Sequence, residues 1–316
     1  MDDDRRSGYT RRGFLTAAAL LTGAFLPGGL LLRRAFGAPA RPSSLQSSVS
    51  GESLEILQQK FRLAAEQSLA TKPIGGIMAA IGTSFIGTPY VAHTLEVPGP
   101  EHLVVNLQGL DCTTFVENVL ALSRCVKLGI TTIDEFTKQL QLIRYRSGKI
   151  EGYPSRLHYF TDWIGDNDRK GIVRDITREV GGIPLVKTID FMSTHRQPYP
   201  QLSDKSVADA IHLAELRLSS AEHTYVPKAD VRGVQGKLRD GDIIAMATSI
   251  EGLDVSHTGL VCVKGGTPYY LHAPLSGGAV RLSQGSLADY LAGAGKQTGL
   301  IVARPLEPDE RRHSHP

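Results

Sequence analysis

Residues 109–117 read Gly-Leu-Asp-Cys-Thr-Thr-Phe-Val-Glu, and they open a run of apolar residues at helical spacing. The apolar positions of that run are Phe115, Val116, Val119, Leu120 and Leu122. This spacing predicts a buried helix. Asp111, Thr113 or Thr114 can cap the helix, which places Cys112 at or near its N-terminus.

Cys112 is therefore a candidate nucleophile. A thiol attacks a carbonyl group as the thiolate, and an ordinary cysteine is mostly protonated near neutral pH. A helix N-terminus stabilises the thiolate, and a neighbouring histidine can take the proton. The other two cysteines, Cys125 and Cys262, lie inside apolar runs and are predicted to be small buried residues.

Two histidines lie on neighbouring apolar runs later in the chain. His257 opens the run at 257–263, and His272 lies 15 residues further on, near the end of the run at 269–273. Gly265-Gly266 between the runs predicts a hairpin turn. The hairpin brings both histidines to neighbouring positions, where the first can act as a base and the second can orient its ring. These residues by themselves predict a Cys–His hydrolase or acyltransferase.

Helical patterns come first in the chain and strand patterns come later. Helices are predicted from Ser53 and over 74–85, and Gly87-Thr88-Pro89-Tyr90 follows as a turn. The strand patterns lie at 243–246, 257–263, 269–273, 279–282 and 299–303. This order predicts an α+β fold in which the helix that bears the cysteine packs on an antiparallel sheet. Residues 131–235 are predicted to be a large helical and loop insertion.

The composition is that of an ordinary globular protein. Of the 316 residues, 41% are hydrophobic and 21% are charged, which excludes a disordered or coiled-coil chain as a whole. The net charge of +3, from 35 basic and 32 acidic residues, gives no indication of nucleic-acid binding. The sequence leaves the oligomeric state open.

The first forty residues have the layout of an export signal. Arg11-Arg12 precede an apolar run at 17–32, and Ala38-Pro39-Ala40 provides a small-residue cleavage site. The paired arginines resemble a twin-arginine signal, so the Tat machinery is the expected export partner and the location is periplasmic or otherwise exported. A single membrane anchor is the alternative, although Pro27-Gly28-Gly29 interrupts the run. The predicted divisions are a signal peptide at 1–40, a linker at 41–52, a catalytic domain at 53–304 and a flexible tail at 305–316.

Four segments, taken in order, have a family resemblance. They are Gly87-Thr88-Pro89-Tyr90, residues 109–117, Gly241-Asp242, and Ser256-His257-Thr258-Gly259 with His272-Ala273. Over about residues 75–304 the chain resembles the NlpC/P60 superfamily of papain-like cell-wall hydrolases, and within it the DUF1460 branch. The resemblance implies a papain-like fold and N-acetylmuramoyl-L-alanine amidase activity. That reaction cuts the amide between the lactyl group of the sugar and the first residue of the stem peptide.

The resemblance also implies roles for individual residues. Cys112 is the expected nucleophile, His257 the base and His272 the residue that orients the base. The expected substrate-binding residues are Tyr90, Asp111, Arg156 and Ser256. The expected substrate is peptidoglycan or a released muropeptide, and the reaction requires neither a metal nor a cofactor.

Cys112 and His257 are 145 residues apart, which is longer than a minimal domain of this superfamily needs. We expect the intervening block to build a wall over the cleft and to narrow the choice of substrate. Its basic side chains include Arg144, Arg146, Lys149 and Arg156. They can pair with the carboxylates of a stem peptide, or they can form a solvated charged face. The aromatic residues Tyr159, Phe160 and Trp163 are predicted to belong to the core rather than to stack on sugar.

Other functions are compatible with the same residues. A γ-D-glutamyl-diamino acid endopeptidase would use the same catalytic groups with different cleft walls. A wall-binding module would keep the fold without the activity, although the joint presence of Cys112, His257 and His272 argues against it. A transacylase would resolve the acyl-enzyme with an amine instead of water. A zinc amidase is disfavoured because the chain has no HExxH spacing.

The export hypothesis predicts that replacing Arg11 and Arg12 by lysine blocks export, because the Tat route depends on the arginine pair. Fractionation of cells that express the wild type and the R11K/R12K variant measures this. Normal export of the variant would contradict a twin-arginine signal.

Overall fold

A computed structural model describes residues 49–308 of the chain. The predicted signal peptide, most of the linker and the end of the tail lie outside these residues. The helices are α1 (Gly51–Glu66), α2 (Ile74–Thr83), α3 (Cys112–Leu128), α4 (Ile133–Arg144), α5 (Phe160–Arg169), α6 (Thr177–Val180), α7 (Phe191–Thr194), α8 (Lys205–Ser220), α9 (Val231–Val234) and α10 (Leu287–Ala292). The strands are β1 (Val173–Asp175), β2 (Ile183–Leu185), β3 (His223–Pro227), β4 (Ile243–Thr248), β5 (Val255–Lys264), β6 (Thr267–His272), β7 (Arg281–Ser286) and β8 (Gln297–Pro305).

The strands form one antiparallel sheet. Its order is β2-β3-β8-β4-β5-β6-β7, and β1 also pairs with β8. The predicted α+β class with an antiparallel sheet is therefore confirmed. The prediction of helix and loop for residues 131–235 is incomplete, because β1, β2 and β3 lie in this block and join the sheet. Strands β1 and β2 have three residues each, too few to show an alternating pattern in the sequence.

Alternate residues of the central strands enter different clusters of buried residues. Leu260 packs in a cluster with Phe115 of α3, whereas its neighbour Val261 packs in a second cluster with Leu287 of α10. Successive side chains of a strand point to opposite faces of a sheet, so helices cover both faces of the central strands. Within residues 49–308, no helix is both long and apolar enough to cross a membrane.

Helix α3 begins at Cys112, as the apolar spacing predicts. Asp111 is its N-cap, and the side-chain Oδ1 accepts a hydrogen bond from the Thr114 N–H at 2.7 Å. Thr114 Oγ1 in turn accepts from the Asp111 N–H at 2.9 Å, which completes a capping box. Gly129, with φ of +69°, ends the helix in the left-handed conformation that glycine adopts readily. Every residue of 114–126 is buried, so α3 is a central element of the fold.

A buried ion pair connects α3 to the end of α4. Arg144 Nε lies 2.7 Å from Glu117 Oε2, and each side chain is 2% exposed. Glu117 also accepts a hydrogen bond from Trp163 Nε1 at 3.2 Å, which adds α5 to the junction. Burial raises the pKa of Glu117, and the charge of Arg144 opposes that rise. The helix that bears the cysteine is thus held by charges that have no access to water.

We expect Arg144→Met to destabilise the protein by about 3–5 kcal/mol, because Glu117 is then a buried charge without its partner. Urea unfolding followed by circular dichroism measures the change in the free energy of unfolding. The double variant R144M/E117Q is expected to recover part of the loss, because glutamine removes the unpaired charge. A wild-type unfolding midpoint for R144M would contradict a structural role for the pair.

Candidate active site

Cys112 lies against β5. Its backbone oxygen accepts a hydrogen bond from Thr258 Oγ1 at 2.9 Å, so the start of α3 is bonded to the residue that follows His257. Cys112 is a partly exposed residue, whereas Cys125 and Cys262 are buried as predicted. Of the three cysteines, only Cys112 is both partly exposed and at a helix N-terminus.

Strands β5 and β6 form the predicted hairpin. Gly265 and Gly266 have φ of +56° and +78°, which suits a two-residue turn with both central residues in the left-handed region. The register places His272 opposite Gly259, two residues beyond His257. The side chains of the two histidines therefore lean toward each other across the hairpin.

The two histidines are hydrogen-bonded to each other. His257 Nε2 lies 2.7 Å from His272 Nδ1, so one of these nitrogens carries the shared proton. For Nδ1 of His257 to accept a proton, Nε2 of the same neutral ring must donate, and His272 Nδ1 then accepts. This tautomer leaves Nδ1 of His257 free to accept a proton and bonds the ring of His257 to that of His272. The contact that the sequence predicted between the histidines is confirmed.

Two tyrosines that the sequence analysis did not single out surround the histidines. The ring of Tyr270 stacks on His272 with centroids 4.6 Å apart, and the ring of Tyr290 meets His272 edge-on at 4.8 Å. Tyr270 also lies edge-on to His257 at 5.7 Å. Tyr270 was detectable in principle, because it stands two residues before His272 on one strand and must share its face. Tyr290 belongs to α10, and only the tertiary structure brings it here.

Burial keeps the reacting groups neutral in the free protein. Burial, followed by the charge of Asp111, raises the pKa of the Cys112 thiol to about 11. Burial lowers the pKa of His257 to about 4. Burial, followed by the charges of His257 and Arg281, lowers the pKa of His272 to about 3. Between about pH 4 and about pH 11 the candidate site therefore holds a neutral thiol and two neutral imidazoles.

Tyr90 lies next to the nucleophile segment. It forms a parallel bridge with Leu110, and the Val91 N–H donates to the Leu110 carbonyl at 3.2 Å. The Tyr90 N–H donates to Gly278 O at 2.8 Å, which ties the same turn to the loop before β7. Burial, followed by the charges of Cys112 and Asp111, raises the pKa of the Tyr90 phenol to about 12. The phenol therefore stays protonated and can donate a hydrogen bond near Cys112.

The basic residues of the intervening block differ in their surroundings. Arg144 is 2% exposed and Arg156 is 5% exposed, so neither belongs to a solvated charged face. Arg156 is paired with Glu96 at 2.8 Å and with Glu101 at 3.3 Å. Its role in substrate binding stays a prediction. Arg146 pairs with Asp162, Lys149 is exposed, and the aromatic residues Tyr159, Phe160 and Trp163 are buried as predicted.

A family model described as AmiA-like, N-acetylmuramoyl-L-alanine amidase-like, matches residues 80–298. This span includes Tyr90, Cys112, His257 and His272. The chain belongs to the AmiA-like family. No curated protein matches the sequence.

Solved structures agree with membership of the AmiA-like family. An N-acetylmuramoyl-L-alanine amidase from Bacteroides uniformis ATCC 8492 is 39% identical, with a TM-score of 0.69, and the match covers 74% of this chain and 99% of that chain. A Bacteroides fragilis protein with the provisional name of a xylanase is 38% identical, with a TM-score of 0.66 and coverage of 71% and 98%. A Legionella pneumophila protein assigned to DUF1460 is 20% identical, with a TM-score of 0.61 and coverage of 80% and 95%, which shows a shared fold.

Two cavities border the site of this AmiA-like protein. One, of about 270 Å³, has Tyr90, Asp111 and Thr113 on one side. Residues from the intervening block, including 156–159 and Met192, form the other side. The second cavity, of about 510 Å³, is lined by His272, Arg281, Tyr290 and their neighbours. The block between the catalytic segments thus faces the nucleophile segment.

The two remaining predicted substrate-binding residues make contacts within the protein. Asp111 uses its Oδ1 atom to cap α3. Ser256 Oγ accepts a hydrogen bond from Gln297 Nε2 at 3.3 Å. Both are partly exposed, and their roles in binding stay predictions. Within residues 49–308, no group of three or more His, Cys, Asp or Glu side chains is arranged to hold a metal ion.

The pKa of about 11 predicts that alkylation of Cys112 by iodoacetamide accelerates as the pH rises through neutrality toward pH 11, because the thiolate is the reactive form. Mass spectrometry of the Cys112 peptide between pH 6 and pH 11 measures the rate, and the Cys112→Ala variant identifies reaction elsewhere. A pH-independent fast rate below pH 7 would instead indicate a thiolate already formed in the free protein.

Proposed function

We propose that this cell-wall amidase of the AmiA-like family is an exported, cysteine-dependent N-acetylmuramoyl-L-alanine amidase with the papain-like fold of the NlpC/P60 superfamily. The observation that carries the proposal is the hydrogen bond of 2.7 Å between His257 and His272, on a hairpin that is bonded to Cys112 through Thr258. This arrangement supplies a nucleophile, a base and an orienting group at one end of β5.

In the proposed acylation step, Cys112 Sγ attacks the lactyl carbonyl carbon while Nδ1 of His257 takes the thiol proton. His272 Nδ1 continues to accept from Nε2 of the resulting imidazolium, which keeps the ring in place. The amide C–N bond then breaks, and His257 returns the proton to the nitrogen of the stem peptide. The peptide leaves with a free amino group, and the sugar lactyl group remains on sulfur as a thioester.

Water completes the cycle. Nδ1 of His257 takes a proton from water as the hydroxide attacks the thioester carbonyl, and the C–S bond breaks. The proton then passes to Cys112 Sγ, and the lactyl carboxylic acid is released. The neutral resting forms of Cys112 and His257 are regenerated, so no charge persists in the buried site between turnovers.

Donors for the developing oxyanion are available at the start of α3. The first N–H groups of a helix have no partners within the helix and point out of its N-terminus. The N–H of Cys112 is one of them, and the protonated phenol of Tyr90 lies beside the same segment. We assign both groups to stabilisation of the oxyanion, which is the largest single contribution in many enzymes that transfer acyl groups.

The chemistry of the site favours amide hydrolysis over glycoside hydrolysis. A xylanase, the provisional name of one similar structure, commonly needs two carboxyl groups on either side of the scissile bond. The centre described here consists instead of the thiol of Cys112, whose pKa is raised, and the imidazoles of His257 and His272, whose pKa values are lowered. The amidase named in the B. uniformis structure, at 39% identity, supports the lactyl amide as the bond that is cut.

We further propose that the cavity of about 270 Å³ selects the substrate, because its walls combine the nucleophile segment with the intervening block. Arg156, tied to Glu96 and Glu101, and His158, whose Nε2 lies 2.9 Å from Tyr153 O, hold this wall rigid. A cleft wall of this kind separates an amidase from an endopeptidase that has the same catalytic groups.

The test is mass spectrometry of muropeptides incubated with the mature protein. We expect the wild type to release a free stem peptide that begins with L-Ala. The Cys112→Ala variant should lose at least about 10³-fold in rate, because no other group can form the acyl-enzyme.

The Cys262→Ala variant is the matched control, because it removes a buried thiol that lies outside the site and should keep the activity. Products cut within the peptide would assign the protein to the endopeptidases. An active C112A variant would rule out the cysteine mechanism.

A further inference from the structure

Tyr270 is the most enclosed aromatic residue around the two histidines. It is 0% exposed and lies within ring contact of His257, His272 and Tyr290. Its ring is tilted only 28° from the plane of the His272 ring, so the two rings overlap face to face. A stacked neighbour restricts rotation of the imidazole about its bond to Cβ.

Gly259 gives Tyr270 the space that it needs. A Cβ atom at Gly259 would lie 2.7 Å from Tyr270 Cε2 and 2.9 Å from His272 Cβ, which is too close for any larger residue. The ring of Tyr270 therefore lies close to the backbone of β5 at Gly259 and contacts both histidines. Tyr270, Gly259 and His272 are thus in close van der Waals contact.

Tyr290 packs against His272 beside Tyr270. Its ring is 74° from the plane of His272 and 5.1 Å from the ring of Tyr270. Tyr290 belongs to α10, whose start is fixed by a capping box between Ser286 and Asp289. Because α10 is anchored in this way, Tyr290 holds a defined position against the imidazole.

His272 needs such support, because its polar contacts do not fix its orientation. Among residues 49–308, its ring nitrogens make one hydrogen bond, the one to His257. A single hydrogen bond fixes one ring nitrogen and leaves the ring free to make small rotations about its side-chain bonds. In the Ser-His-Asp triad, by comparison, a buried carboxylate holds the catalytic histidine in the correct tautomer and orientation.

The hydroxyl group of Tyr270 does not hold His272 by a hydrogen bond. It is buried, and it has no hydrogen-bond partner among the described residues. A buried donor without a partner is unfavourable, so the contacts of the ring, not of the hydroxyl, account for what Tyr270 does in the folded protein.

We propose that Tyr270 and Tyr290 are positioning residues whose two adjacent ring contacts hold His272 in place, and we call this pair of contacts the clamp. By holding His272, the clamp keeps His257 in the tautomer in which its Nδ1 can accept a proton. The role in turnover rests on the proposed amidase mechanism. The clamp itself is a property of the free protein and can be measured without a substrate.

The test compares a variant that keeps each ring with a variant that removes it. Long-range ¹H–¹⁵N spectra of protein labelled with ¹⁵N-histidine report which nitrogen of each ring carries the proton. The signals are assigned with the His257→Gln and His272→Gln variants. We expect Tyr270→Phe to give the wild-type pattern of His257 protonated on Nε2 and His272 accepting on Nδ1. Tyr270→Leu should give mixed tautomers at both residues.

Kinetics on muropeptides provide the second measurement. We expect Tyr270→Leu to lower kcat by about 10²-fold with KM nearly unchanged, because a small displacement of catalytic groups has an effect of this size. Loss of the Tyr270 ring should also admit water to His257, and hydration favours the charged imidazole. The acid limb of the profile of activity against pH should therefore move up from about pH 4 toward about pH 6.5. Tyr270→Phe should leave both quantities unchanged.

Tyr290 is only partly buried, so Tyr290→Leu, with Tyr290→Phe as its control, repeats the test with little risk to folding. Wild-type tautomers in both leucine variants would overturn the proposal. Equal losses in Tyr270→Phe and Tyr270→Leu would also overturn it, because they would assign the effect to the hydroxyl group. If the wild type does not cleave muropeptides, the proposed function is wrong. The tautomer spectra need no substrate, so they still test whether Tyr270 and Tyr290 hold His272 in place.

Discussion

The junction between the N-terminus of α3 and β5 is the contact on which the rest of the site depends. The bond from Thr258 Oγ1 to the Cys112 carbonyl joins the two halves of the catalytic apparatus, although they lie 146 residues apart in the chain. The capping box of Asp111 and Thr114 determines the residue at which α3 begins. Burial of residues 114–126 then leaves α3 no freedom to slide.

Burial of the ionisable groups determines the electrostatics of the site. The charged forms of thiol and imidazole are both disfavoured by burial, so the pair rests as Cys112 thiol and neutral His257. A resting thiolate would require a nearby positive charge, and the aromatic rings of Tyr270 and Tyr290 supply none. In the proposed mechanism, the helix N-terminus and the hydrogen bond between the histidines stabilise charges that develop during the reaction. In the same mechanism, transfer of the thiol proton to His257 is coupled to attack on the carbonyl carbon.

Charged residues of the intervening block show where reasoning from the sequence fails. Arg144 and Arg156 look like members of a polar surface, yet both are buried against carboxylates. Arg144 pairs with Glu117, 27 residues away, and Arg156 pairs with Glu96, 60 residues away. A basic side chain at the surface and one in a buried pair have the same local sequence pattern, because the partner that permits burial comes from a distant segment. The short strands β1 and β2 were missed for a related reason, since sheet pairing with a distant strand, not local alternation, forms them.

The sequence alone determined the elements whose signal is local. Helix α3 and its cap, the Gly265-Gly266 hairpin, the contact between His257 and His272, and the burial of Cys125 and Cys262 all follow from spacing and turn chemistry within about twenty residues. The α+β class follows from the order of these local patterns along the chain. The tertiary structure alone decided what depends on long-range packing. It brought Tyr290 of α10 against His272, buried Arg144 and Arg156 with their partners, and set the neutral state of Cys112. Periodicity records which face of an element is apolar, but the identity of the neighbour and the exclusion of water arise only when distant segments pack together.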